Sequence, residues 1–125
     1  MQFVNARFGG TIYGDVQKQR PLGAHSPSRN HGREVRHGIV LEEGTHLEKR
    51  VGQAVEVNSH HLQAVEKVGT GLRINARSTD GLIEGIETED GRILGLQFHP
   101  ERLAGTIWDA IFVYLIEQAT SATCS

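Results

Sequence analysis

His99 and Glu101, separated by Pro100, are the residues whose types and spacing point most directly to chemistry. They follow an apolar run, Ile93-Leu94-Gly95-Leu96-Gln97-Phe98, that reads as the end of a buried strand. A residue before proline is driven from the α region toward extended backbone. In extended backbone, residues two apart project to the same side, so the imidazole and the carboxylate are expected to project together. A carboxylate against one ring nitrogen fixes the tautomer and stabilises the imidazolium, leaving the other nitrogen to move protons. This is two parts of a nucleophile–histidine–acid triad, and no nucleophile with a comparable setting is evident. A surface pair at a strand exit is the alternative reading.

Other candidates are weaker. The chain has seven histidines, and His25, His31, His37, His60, His61 and His99 with Glu101 offer ligands for a metal. No two of them stand four apart on a helix, and there is no H-E-x-x-H motif. No metal and no cofactor are therefore expected. Cys124 is the single cysteine. It excludes an internal disulfide, fits a reducing compartment, and lacks both a neighbouring base and a following helix that would activate it. Arg29, Arg33 and Arg36 could meet a substrate carboxylate or simply form a solvated basic stretch.

The elements that must position these residues fit into one domain, the most that 125 residues support. A net charge of −2 gives no bulk attraction to nucleic acid or anionic membrane. The apolar stretch Ile107–Ile116 contains Asp109 and is far shorter than the ~20 residues that span a bilayer. With no apolar leader at the N-terminus, a soluble cytoplasmic protein is the expectation.

Residues 1–8 read as the end of a helix closed by Gly9-Gly10, and residues 17–37 as a long polar loop. His37–Leu41 and Ala54–Val57 read as strands, with a helical turn over Leu47–Gly52 between them. Asn58 or Ser59 is expected to cap a helix running through His61, Gln63, Ala64 and Val65, ended by Gly69–Gly71. Leu72–Arg77, Leu82–Glu87 and Arg92–Phe98, joined at Asp80-Gly81 and Asp90-Gly91, predict an antiparallel meander. A closing helix spans about Thr106 to Gln118. Ile107, Ala110, Ile111, Tyr114 and Leu115 mark its buried face, which Trp108 and Phe112 widen. Residues 120–125 read as a flexible tail.

The segment Val57-Asn58-Ser59-His60-His61-Leu62-Gln63-Ala64-Val65 resembles class I glutamine amidotransferase-like proteins, with the gamma-glutamyl-gamma-aminobutyrate hydrolases and gamma-glutamyl hydrolases the nearest group. Gly71-Leu72-Arg73, Asp80-Gly81-Leu82-Ile83-Glu84 and Gly95-Leu96-Gln97-Phe98-His99-Pro100-Glu101 match the same family in the same order, and Asn5 with Gly9-Gly10-Thr11 and Asp15 matches its N-x-x-x-G-G-T-x-x-x-D stretch. The resemblance implies an α/β (flavodoxin-like) sandwich with a mostly parallel central sheet, of which residues 1–119 form the C-terminal half with an antiparallel strand meander and a closing C-terminal helix. It implies His99 and Glu101 as catalytic residues and Ser59, His61 and Gln63 as substrate-binding residues, with a small γ-glutamyl amide as substrate and putrescine breakdown as the setting.

In this family the catalytic cysteine sits on a G-x-C-R-G turn commonly followed by Met-Gln, and this chain begins Met1-Gln2. The expectation is a chain that starts just past the nucleophile elbow and is close to inactive alone. A non-catalytic remnant or binding module of the same fold is the alternative. Half of such a sandwich leaves a strand edge and an apolar face uncovered, so marginal stability or self-association is expected.

Overall fold

A computed structural model describes residues 1–14, 35–52, 56–59 and 63–123. The expected loop over residues 17–34, His60, His61 and Cys124 lie outside the described residues.

Among the described residues, seven strands form one sheet. They are β1 (Thr11–Tyr13), β2 (Val35–Leu41), β3 (Glu56–Ser59), β4 (Ala64–Lys67), β5 (Leu72–Ser78), β6 (Ile83–Thr88) and β7 (Leu94–Leu96), in the order β1-β4-β6-β5-β2-β3 with β7 also on β6. The expected meander is present: β5 pairs with β6 and β6 with β7, both antiparallel. Every pair among the described strands is antiparallel. The mostly parallel sheet implied by the resemblance is therefore not found in these strands. For β5–β6 and β6–β7 the physical reason is local: the short hairpins at Asp80-Gly81 and Asp90-Gly91 join only antiparallel neighbours, whereas parallel neighbours need a crossover of a dozen residues or more.

Helices cover both faces. Ile86 packs with Met1 and Val4 at α1 (Gln2–Arg7). Its neighbour Glu87 accepts from the backbone N–H groups of His46 and Leu47, at 2.9 and 3.2 Å, where α2 (His46–Val51) begins. Successive strand residues point to opposite faces, so α1 and α2 lie on opposite sides. On the α2 side, Ile39, Leu47, Val57, Ala76, Phe98, Leu103, Trp108 and Ile111 form the larger core. The last two come from a 3-10 turn, Ile107–Asp109, and from α3 (Ala110–Thr123), so the closing helix seals this core.

Asn5 explains the Asn5-Gly9-Gly10-Thr11 motif. Buried, it donates to the carbonyls of Thr11 (3.2 Å) and Lys67 (2.9 Å) and accepts from the Gly69 N–H (2.8 Å). A Cβ on Gly10 would collide with the Asn5 amide, so only glycine fits there.

Several expectations are corrected. Ala64–Lys67 is strand rather than helix, pairing with β1 and with Ile83. A short apolar run such as Ala64-Val65 suits either state, and the open backbone groups of β1 and β6 decide it. Asn58 and Ser59 are buried strand residues, not helix caps. Val35–His37, expected at the end of the loop, belong to β2 because β3 lies alongside them. The closing helix runs on through Thr123. Its Trp108, Ile111 and Tyr114 face inward as expected, but Ile107, Phe112 and Leu115 are exposed. Tyr114 fixes that rotation by donating its hydroxyl to the Gly91 carbonyl at 2.6 Å.

Candidate functional site

His99 sits just past β7, at φ −109° and ψ 86°, outside the α region as its following proline requires. The chain then turns through a 3-10 segment, Pro100–Arg102, closed by Arg102 N–H to His99 O (3.1 Å) and Leu103 N–H to Pro100 O (2.9 Å). The turn, rather than strand alternation, brings the Glu101 carboxylate back to the imidazole. Nδ1 of His99 and Oε1 of Glu101 are 2.7 Å apart. The side chains are 41% and 56% exposed, open to a small molecule. Because a carboxylate oxygen only accepts, the proton of this hydrogen bond is carried by Nδ1.

Glu101 is held below the usual glutamate range, first by its own backbone N–H and then, against desolvation, by the His99 side chain and charge. It therefore stays ionised under mildly acidic conditions, where the pair keeps its orientation.

Asn58 fixes the backbone of His99. Its Nδ2 donates to His99 O at 3.0 Å and its Oδ1 accepts from His99 N–H at 2.9 Å. Asn58 is itself buried on β3, so the histidine is tied to the sheet on both sides of its Cα. Phe98, packed on Trp108 with ring centroids 4.7 Å apart, anchors the preceding residue. Sequence reasoning missed Asn58 as a clamp; it is the middle one of three consecutive buried residues, Val57, Asn58 and Ser59.

Of the substrate-binding residues expected, Ser59 is fully buried beside Asn58, opposite Val35, and strand alternation turns it to the other face. Gln63 is exposed at the start of β4, where its carbonyl accepts from Gln2 Nε2 at 3.3 Å. His61 lies outside the described residues. The structure thus brings His99 and Glu101 together.

A second histidine–carboxylate pair lies at the same end of the sheet. His37 Nε2 and Glu84 Oε1 are 3.3 Å apart, with side chains 12% and 0% exposed. The Glu84 carbonyl accepts from Gln97 N–H at 2.8 Å, two residues before His99. A glutamate inside the apolar run Leu82-Ile83-Glu84-Gly85-Ile86 was the visible signal for this pair. Among the described residues, no group of three or more His, Cys, Asp or Glu side chains is placed to hold a metal ion. Also among them, no helix is long and apolar enough to cross a membrane.

The family model for Peptidase C26 matches residues 1–101, which includes His99, Pro100 and Glu101. A glutamine amidotransferase-like protein of Schizosaccharomyces pombe is 35% identical over 102 residues, covering 82% of this chain and 40% of that protein. The gamma-glutamyl-gamma-aminobutyrate hydrolase PuuD of Escherichia coli is 38% identical over 68 residues, covering 52% of this chain and 27% of the hydrolase. The glutamine-hydrolysing GMP synthase of Dictyostelium discoideum is 32% identical over 105 residues, 81% of this chain and 13% of the synthase. The chain thus spans well under half the length of these relatives. In fold it is similar to the crystal structure of a GMP synthase-type protein from Thermoplasma acidophilum. The TM-score is 0.69 at 16% identity, over 98% of this chain and 54% of that one.

Proposed function

The chain belongs to the Peptidase C26 family, and from that premise we propose that it supplies the histidine–glutamate part of a cysteine-dependent hydrolase of γ-glutamyl amides. The observation that supports this reading is the 2.7 Å tie between His99 Nδ1 and Glu101, on a backbone that Asn58 grips from both sides.

In this proposal a cysteine thiolate attacks the γ-glutamyl carbonyl, giving a tetrahedral intermediate. The thiol proton goes to His99 Nε2, which then returns a proton to the leaving amine as the C–N bond breaks. Water, deprotonated by the same nitrogen, hydrolyses the γ-glutamyl thioester. Glu101 holds the imidazole in the Nδ1-protonated tautomer and stabilises the imidazolium at each stage. The nucleophile turn is not among these residues, whose only cysteine is Cys124. It is proposed to come from a G-x-C-x-G segment preceding them in a longer protein. A cytoplasmic location is part of the same proposal, since the thiol must stay reduced.

The substrate is proposed to be an amide such as γ-glutamyl-γ-aminobutyrate. Glutamine itself is the second reading, favoured by the alignment with the glutamine-hydrolysing GMP synthase over 81% of this chain. Initial rates of the protein with its nucleophile segment separate the two. γ-Glutamyl-γ-aminobutyrate turning over at a higher kcat/KM than glutamine supports the first, and the reverse order supports the second. In either case Glu101→Gln is expected to lower kcat by about 100-fold or more, because a neutral amide no longer enforces the tautomer. An unchanged kcat would contradict the role given to Glu101.

A further inference from the structure

His99 is tied to the sheet on two sides, and a buried side-chain pair bridges the two ties. On one side Asn58 of β3 holds the His99 backbone. β3 pairs with β2, where His37 faces Val57, the residue before Asn58. On the other side the Gln97 N–H, two residues before His99, donates to the Glu84 carbonyl of β6 at 2.8 Å. His37 Nε2 and Glu84 Oε1, 3.3 Å apart, close the ring. It runs from His99 through Asn58, β3, β2, His37, Glu84 and Gln97 back to His99.

The closing contact reaches across a whole strand. β5 lies between β6 and β2, so the pair spans two strand spacings, about 10 Å. Only two long side chains meeting midway can do this. The backbone is shaped to aim one of them. Along β5–β6, Ala76 faces Gly85 and Arg77 faces Ile83, one step on β5 against two on β6. Glu84 is thus the extra residue of a β-bulge, which bends the strand and re-aims a side chain. The His37 ring is steered from its other nitrogen, Nδ1, which lies 3.0 Å from the Gly38 carbonyl. Both side chains are largely out of solvent. Apolar side chains of similar volume often stabilise a core as well as a buried histidine–carboxylate pair does. Stability alone therefore does not account for the bulge or the pair.

We propose that His37 and Glu84 are positioning residues for His99: a strut across β5 that holds the β3 tie and the β6 tie at the spacing the catalytic turn needs. The proposal rests on the hydrolase reading for what His99 does, while the strut itself is a property of this chain. Neither residue is given a contact with substrate. Their effect passes through Asn58 on one side and Gln97 on the other to the backbone of His99. A strut depends on length as well as charge. Glu84→Asp keeps the carboxylate but draws it back by one carbon–carbon bond, about 1.5 Å, and is expected to act like Glu84→Gln.

Amide hydrogen exchange, read by NMR on the whole chain, tests the strut. The Gln97 and His99 N–H groups report the two ties. The Thr88 N–H, which donates to the Ile93 carbonyl at 3.0 Å at the far end of β6–β7, reports the sheet as a whole. Glu84→Gln, Glu84→Asp and His37→Gln are each expected to speed exchange at Gln97 and His99 by about tenfold or more, with Thr88 within about twofold of the parent. In the protein carrying its nucleophile segment, the same variants should lower kcat by about tenfold or more and leave KM within about twofold. Variants that keep their fold by circular dichroism carry the test. Equal acceleration at all three amides, or unfolding of all three variants, would make the pair a stability element and overturn the proposal. Unchanged exchange at Gln97 and His99, or acceleration by the Glu84 variants without His37→Gln, would overturn it too. The two claims separate cleanly. If the exchange pattern appears but turnover survives His99→Ala, the strut stands and the hydrolase reading falls. If His99→Ala abolishes turnover and the strut variants leave kcat unchanged, the hydrolase reading stands and the positioning role falls.

Discussion

Asn58 and Glu87 show what a buried polar side chain does here. Asn58 closes two hydrogen bonds on the backbone of His99. Asn58→Leu leaves both backbone groups without that partner, and a loss of about 2 kcal/mol is expected in urea unfolding. Glu87 is fully buried and accepts from His46 N–H, Leu47 N–H, Asn75 Nδ2 and Arg73, with Arg73 Nη2 at 2.9 Å. Burial pushes its pKa up, but the His46 N–H, Arg73, Asn75 and Leu47 N–H outweigh that and hold it below the usual glutamate range. A depressed folded-state pKa gives stability that is complete above the unfolded value of about 4.3 and is lost as pH falls through the folded value. Glu87→Ala, which strands these donors and the Arg73 charge, is expected to cost about 3 kcal/mol at neutral pH. The gap between parent and variant should narrow below about pH 4. A pH-independent gap in thermal unfolding would contradict this account of Glu87.

At the scale of elements, the legible parts were those with local signals. Asp80-Gly81 and Asp90-Gly91 placed the β5–β6–β7 meander, and Trp108, Ile111 and Tyr114 marked the buried side of α3. What could not be read depended on partners distant in sequence. Ala64–Lys67 became a strand because β1 and β6 offered backbone groups to it. The Asn58 clamp and the His37–Glu84 pair join residues some forty or more positions apart, which no spacing rule detects. His99 and Glu101 were legible because only Pro100 separates them, although a 3-10 turn rather than extended backbone joins them. Gly91 combines a local and a distant constraint. Its φ is +73°, and a Cβ there would meet the Tyr114 hydroxyl of α3. Gly91→Ala is expected to lower stability by about 2 kcal/mol, from backbone strain plus displacement of Tyr114. A change under about 0.5 kcal/mol would show that this turn is not coupled to the closing helix.

Across the whole molecule, one apolar surface is left without a described partner. Ile107, Phe112, Val113, Leu115 and Ile116 are all exposed along the closing segment, while Trp108, Ile111 and Tyr114 on the same segment are buried. Contiguous exposed apolar side chains favour association. The chain by itself is expected to self-associate in a concentration-dependent manner in light scattering, and Leu115→Glu with Ile116→Lys should reduce that without lowering the thermal midpoint. A monodisperse monomer at all concentrations would contradict the expectation.

The central claim is that His99, oriented by Glu101, moves the protons of γ-glutamyl amide hydrolysis with a thiol nucleophile. The most direct measurement is release of γ-aminobutyrate from γ-glutamyl-γ-aminobutyrate by the protein carrying its nucleophile segment, before and after His99→Ala. The account predicts a loss in kcat of about 1,000-fold or more, with Cys124→Ser unaffected. Turnover that survives His99→Ala would contradict it.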